Sequence, residues 1–317
     1  MREAEMWAVQ YRRYGGPEVL ELGSVPVPRP KGAQVLVEVA AFSVNQADLM
    51  ARAGKLKGIN GFGFPKGTGV DFAGTVVEPG PRATRFKEGD RVWGYIGMKP
   101  PGRHAAAARY VVIQENRIAE APSAIGLVEA AALPLVGLTA VQALRALRVA
   151  EGQRVLVVGG NGGVGSTTVQ VARALGAQVD AVVGNHAEAA ERAGAVHIHN
   201  RHLEDIGQLA SRYDALVLTA GDRVLDHRRL LAPRGRIVAL APAMLPSVLA
   251  SLVIPGPIVR MISAGPSASD LAWLSRKVDD AEIVPIIGQS YALDDVVQAH
   301  HDAENEAAGG KRVIRAG

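Results

Sequence analysis

The chain has 317 residues, 48% of them hydrophobic and 21% charged, which is enough for two ordinary cores and carries no signature of disorder. Its 35 basic and 31 acidic residues are interspersed, for a formal net charge of +4, so the basic stripe that nucleic acid needs is missing and no nucleic-acid partner is expected. The absence of cysteine excludes disulfides and thiolate zinc sites; with no apolar run of membrane-span length and no apolar signal core, a cytoplasmic protein without a membrane partner is expected.

Up to about Pro122 the sequence consists of short alternating segments: VLVEVAAFSV (35–44), DFAGTVVEPG (71–80), DRVWGYIG (90–97) and ARYVVI (108–113). Gly and Pro clusters such as VPVPRPKG (25–32) part them, which predicts a mostly β lobe. EAAALPLVGLTAVQALRAL (129–147) is helix-forming apart from Pro134 and Gly137, so helical pieces broken at those two points are expected. From Arg154 onward short apolar runs alternate with helical stretches: RVLVV, STTVQVARALG, QVDAVV, HAEAAERAG, VHIHN, DALVLTAG, RVLDHRRLLAP and RIVALA. That alternation marks a parallel sheet with crossover helices, an α/β domain of nucleotide-binding type. The apolar stretch VLASLVIPGPIVRMIS then leads to predicted helices at 269–280 and 292–310 and a last strand, KRVIR.

GGNGGVGST (159–167) fits two phosphate-binding patterns. Gly160, Gly165, Ser166 and Thr167 approach a P-loop, but a P-loop needs lysine after its last glycine to reach the β- and γ-phosphates, and Ser166 stands there. Gly160, Gly162 and Gly165 also give G-x-G-x-x-G between a strand and a helix, with a second strand following, which is the setting of a dinucleotide site. The pyrophosphate is then expected on Gly160, Asn161, Gly162, Gly163 and Val164, at the positive end of the helix. A glycine turn that merely closes a tight fold is the plainer alternative.

The second strand ends at Gly184, Asn185 and His186, while Asp180 lies near its start. An acid at the strand's end would hold the ribose hydroxyls and repel a 2′-phosphate, so NADPH is favoured over NADH. His186, Arg192 and Arg201 are candidate phosphate partners, with solvated surface positions as the alternative for each.

Eight segments, in order, resemble the medium-chain dehydrogenase/reductase superfamily and its zinc-free, zeta-crystallin-like quinone oxidoreductase branch: YGGPEVLEL, SVNQADLMARAG, GTGVDFAGTVVEPG, FKEGDRVWG, AAALPLVGLTAVQAL, VLVVGGNGGVGSTTVQVARALGA, LLAPRGRIVALA and GGKRVI. The resemblance implies an α/β fold in which a Rossmann doubly wound parallel sheet (126–264) is inserted in a mostly β GroES-like substrate lobe (1–125 plus 265–317). It implies a hydride passed from NADPH to a quinone or α,β-unsaturated carbonyl compound. Zinc-dependent relatives hold their metal with Cys near Ser43 and a His-Glu pair near Val70 and Asp71, so no zinc is expected here. The histidines of HIHNRH and AHH lack an accompanying carboxylate constellation and read as surface or strand-face residues.

By the same resemblance Asn45, in VNQAD, is the expected catalytic hydrogen-bond donor, and Asp48 orients its loop. Thr139 in GLTA, Thr219 and Ala220 in VLTAG, Leu240, Ala241 and Lys311 are expected at the cofactor. Three departures stand out. Lys55, Leu56 and Lys57 replace the tyrosine acid of enoyl-thioester reductases, and Glu188 replaces a phosphate-binding lysine. The loop at 95–110 has Pro100, Pro101, Arg103 and His104 in place of glycines, so Trp93, Tyr95, Met98 and Arg103 are expected to shape an aromatic pocket. VIPGPIVRMIS (253–263) is expected to pair with its twin in a homodimer. The alternatives are a nonredox or cofactor-binding protein on the same scaffold, and an enoyl reductase tailoring a polyketide-like metabolite.

Overall fold

The structure, a computed structural model, describes residues 4–61, 63–97, 105–206, 209, 212–221, 224–306 and 309–317. The first elements are β1 (Glu5–Tyr11), β2 (Glu21–Pro26), β3 (Gln34–Val44), α1 (Gln46–Arg52), α2 (Lys57–Asn60), β4 (Lys66–Gly67), β5 (Asp71–Pro79), β6 (Arg91–Tyr95), β7 (Tyr110–Gln114), β8 (Ile118–Glu120) and α3 (Leu127–Ala130). Next come α4 (Pro134–Leu147), β9 (Arg154–Val158), α5 (Gly163–Ala174), β10 (Gln178–Val183), α6 (Glu188–Arg192), β11 (Ile198–Asn200), β12 (Tyr213–Leu218), β13 (Leu231–Ala239), α7 (Leu245–Ala250) and β14 (Val259–Met261). The chain closes with α8 (Ala268–Asp279), β15 (Ile287–Tyr291), α9 (Val296–Asn305) and β16 (Lys311–Arg315). Among the described residues no helix is long and apolar enough to cross a membrane.

Two compact units result: Met1–Leu135 with Gly265–Asp279 and Ile287–Gly317, and Val136–Ala264 with Asp280–Ile286. The first holds a seven-stranded sheet in the order β15-β16-β3-β5-β6-β8, with β7 also paired to β3, and a three-stranded sheet β2-β1-β4. Its core includes Val35, Val37, Phe42, Phe72, Val92, Trp93 and Ile118, all buried. The second holds a six-stranded parallel sheet in the order β11-β10-β9-β12-β13-β14. This is the doubly wound Rossmann order, whose strand direction reverses beside β9 and so opens a crevice at the strands' carboxyl ends.

Local chemistry departs from the sequence expectation at three places. Pro134 opens α4 instead of breaking it, because a first-turn proline forfeits no intrahelical bond, and Gly137 is carried inside the helix by burial of Val136, Leu138, Ala140 and Leu144. The segment expected to be helical at RVLDHRRLLAP keeps only a 3₁₀ turn at Asp226–Leu230, and Leu231 already belongs to β13. Unexpected β2 is a polar strand that exists through its register with β1, from Glu5 opposite Pro26 to Gln10 opposite Glu21.

Candidate functional site

The glycine loop joins β9 to α5. Gly159 takes the left-handed turn (φ 88°), and a Cβ there would lie 2.4 Å from the Thr219 Oγ1. At Gly165 a Cβ would lie 2.0 Å from the carbonyl oxygen of Gly159, so this glycine lets α5 sit directly against the loop. Gly159 is thus the turn residue, a position earlier than the motif's spacing assigns. Gly162 caps α5, and the N–H groups of Gly163, Val164 and Gly165 at its first turn have no intrahelical acceptor. They form an anion-binding terminus. Asn161 turns its side chain elsewhere: its Oδ1 accepts the Ala189 N–H at 2.8 Å, tying the loop to α6. Thr219 donates to the carbonyl of Val158 at 2.9 Å, and the Leu240 N–H donates to Leu218. Thr219, Ala220, Leu240 and Ala241 therefore follow the carboxyl ends of β12 and β13, whereas Thr139 lies inside α4, not at its start.

A cavity of about 430 Å³ adjoins these ends, lined in part by Val158, Val182, Gly221, Arg201, His202 and Arg229. Gly184 follows β10, and a Cβ there would lie 3.7 Å from His202 Nε2 and 3.8 and 3.9 Å from Arg201 Nε and Nη2. Where a NADH-type strand end presents a carboxylate, this one leaves room and surrounds it with cationic or neutral donors. His186, by contrast, faces Glu188, Nδ1 to Oε1 3.7 Å, and Asn185 is exposed. Asp180 is buried and engaged by Tyr213, His197 and Arg154, which removes it from any ribose role.

In the first unit a buried polar cluster gathers around Asn45. Antiparallel pairing of β3 with β5 and β16 brings Ser43, Asp71 and Lys311 together, and the turn from β3 into α1 adds Asn45 and Asp48. The Asn45 Nδ2 donates to Asp71 Oδ1 at 2.9 Å and to the Ser43 carbonyl and hydroxyl at 3.2 Å each. Its Oδ1 accepts from Lys311 Nζ at 2.6 Å, and Lys311 also donates to the Val44 carbonyl at 2.9 Å. Asp48 caps α1 by accepting the Asn45 N–H and also takes the Gly69 N–H, each at 2.9 Å. Asp71 accepts Ser43 Oγ–H at 2.7 Å and the Leu135 N–H at 3.2 Å.

Burial, then the charge of Asp71, pushes the Asp48 carboxyl up to about 7 against the offsetting backbone donors and Lys311. Burial likewise raises Asp71 and lowers Lys311, and each of these two partners offsets the shift of the other. An amide with both hydrogens committed has none left for a substrate. Lys311, with three N–H bonds and two acceptors among the described residues, keeps one.

Trp93 and Tyr95, expected to line an aromatic pocket, are instead 0% and 1% exposed on β6, with Tyr95 opposite Asp71. Burial raises the Tyr95 hydroxyl, as do the charges of Asp71 and Asp48, so it stays protonated. Alternation along β6 turns one of the two to each face of a sheet covered on both, which is why their aromatic content was misleading. Met98 and Arg103 lie outside the described residues. The donor set around Ser43 does not fit a zinc ion: a hydroxyl and one carboxylate are already mutually bonded, Val70 offers no ligand, and an ammonium sits in their midst.

The sequence matches the alcohol dehydrogenase GroES-like domain over residues 31–123 and the zinc-binding dehydrogenase family over residues 193–314. It is 31% identical to a 2-methylene-furan-3-one reductase of Solanum lycopersicum, over 98% of this chain and 79% of that one. It is 34% identical to a chloroplastic NADPH-dependent alkenal/one oxidoreductase of Arabidopsis thaliana, over 76% of this chain and 64% of that one, and 28% identical to the quinone oxidoreductase of Mus musculus over 94% and 93%. Among solved structures, the quinone oxidoreductase from Coxiella burnetii superposes with a TM-score of 0.88 at 29% identity, covering 98% of this chain and 99% of that one.

Proposed function

The chain belongs to the medium-chain dehydrogenase/reductase superfamily, in its zinc-free quinone oxidoreductase branch, and from that premise we propose that it is an NADPH-dependent reductase of quinones or α,β-unsaturated carbonyl compounds. The observation that carries the cofactor reading is the end of β10, where Arg201 and His202 converge on the space that Gly184 leaves open. The 2′-phosphate would be held there, the adenosine in the adjoining cavity, and the pyrophosphate at the first turn of α5. Thr219, Ala220, Leu240, Ala241 and Thr139 remain candidates for the rest of the dinucleotide. When bound, NADPH supplies the hydride.

The chain's own part is to fix the substrate and stabilise charge as it develops on oxygen. With the Asn45 amide saturated, that role passes to the remaining N–H of Lys311, and Asn45 becomes the residue that aims it. Asp71 and Ser43 hold the Asn45 amide in one orientation; Asp48 fixes the loop. Loss of water from this buried cluster strengthens each of these interactions. The polarised substrate must therefore already be electrophilic, as a quinone or enone is. The same reading makes the protein a cytoplasmic homodimer joined along β14, the end strand of its sheet, beside exposed Leu252, Val253, Ile254 and Ile258.

The test is NADPH oxidation at 340 nm with a panel of quinones and enones, alongside equilibrium titrations with NADPH and NADH. Acceptor-stimulated oxidation and tighter NADPH binding are expected. Tight cofactor binding with no acceptor-dependent turnover would favour the nonredox alternative.

A further inference from the structure

The connection from α1 to β5 replaces an expected tyrosine with the lysine-rich RAGKLKG, and the mechanism above leaves those lysines unused. There, Tyr14 and Phe64 meet edge to face, ring centroids 4.9 Å apart, and both rest on buried Tyr11 at 6.4 and 6.1 Å. Lys57 Nζ lies 4.9 Å from the centre of the Tyr14 ring and Lys66 Nζ lies 5.3 Å from that of Phe64. Lys66 and the Tyr14 hydroxyl donate to one carbonyl, that of Gly61, at 3.0 and 3.3 Å, which holds the two rings and their cations as one patch. An ammonium resting on an aromatic face keeps its full charge, unlike one neutralised by a carboxylate.

The patch leads directly into the buried cluster. Five residues separate Lys66 from Asp71, at most about 17 Å of extended chain. Between them Gly69 is bonded to Asp48, and the buried Thr68 hydroxyl has no partner among the described residues. A buried hydroxyl left without a partner is costly and marks a place where a ligand's polar atom would be bound. Two half-exposed rings, two cations and an orphaned hydroxyl thus lie within the length of a small fused-ring compound from Asn45 and Lys311.

We propose that Lys57, Lys66, Tyr14 and Phe64 form a substrate subsite for an anionic group, so that the preferred acceptor is an aromatic conjugated carbonyl compound bearing a carboxylate, sulfonate or phosphate. This rests on the reductase reading and narrows its substrate class. The rings take the flat face of the acceptor, and the lysines take its acidic substituent.

The test compares kcat/KM for 1,4-naphthoquinone and 1,4-naphthoquinone-2-sulfonate, together with calorimetric binding of naphthalene-2-sulfonate to the cofactor-free protein. Wild type is expected to favour the sulfonate. In the Lys57→Gln/Lys66→Gln double variant the sulfonate-to-neutral ratio falls about tenfold, two exposed charge contacts' worth, and naphthalene-2-sulfonate binding weakens by a similar factor. Raising the ionic strength to about 0.5 M erases the wild-type preference, because screening is then nearly complete at contact distances. An unchanged ratio, or an equal fall with Lys87→Gln, would overturn the subsite in favour of general charge. Should neither quinone be reduced, the reductase reading fails by itself, and the calorimetric arm still decides whether the lysines bind an aromatic anion.

Discussion

Lys311 and Asn45 divide between them a role that the motif VNQAD assigns to the asparagine alone. The spacing of that motif is legible in one dimension; the number of acceptors around an amide is not, because Ser43, Asp71 and Lys311 reach it from three different strands. Lys311→Met is expected to lower kcat about 100-fold, the loss typical of one transition-state donor, and to destabilise the fold by ~3 kcal/mol by stranding two buried carboxylates. Adding Asp71→Asn should restore much of the melting temperature without restoring kcat; recovery of both would make Lys311 purely structural. Asp48 carries a pH signature. Its carboxyl is raised from 3.8 to about 7, so between those values the native state holds more protons than the unfolded chain. Stability contributed by this group therefore falls as pH rises through that window and is lowest above it. Melting temperatures of wild type and Asp48→Asn at pH 5 and pH 8 check this: the difference should shift against wild type at pH 8, and a constant difference would rule the titration out.

At the scale of elements, β9, the glycine loop and α5 were legible because each glycine answers a local backbone demand. What could not be read was which glycine answers which demand, since that depends on the carbonyl of Gly159 and the side chain of Thr219, 60 residues away in sequence. Gly165→Ala is expected to abolish NADPH binding by titration and cost about 2 to 3 kcal/mol in denaturant unfolding, because the added methyl meets backbone and not a movable side chain. Helix α4 gives the opposite lesson. Its Pro134 and Gly137 read as breaks, yet burial along one face outweighs the roughly 1 kcal/mol propensity cost of a helical glycine. Tyr95 and Trp93 show the same limit on a strand, where aromatic side chains beside a suspected pocket proved to be core.

On the scale of the whole molecule, the free edge of β14 and the exposed Val253 and Ile258, 82% and 58% accessible, are where a second copy is expected to add a strand. Sedimentation equilibrium should give twice the chain mass for wild type and the single-chain mass for Val253→Asp; a wild-type monomer would remove the interface. The sequence by itself determined the two-part α/β architecture, the dinucleotide type of the loop and the lack of a zinc ligand set. Each of these follows from local period, from glycine's unique backbone range or from which side chains are present at all. Only the tertiary structure decided that Asn45 is saturated, that Lys311 holds the spare donor, that Arg201 and His202 meet at Gly184, and that two lysines share an aromatic patch. Those are relations between residues distant in sequence, and sheet register and turn geometry bring them together in ways no local pattern encodes.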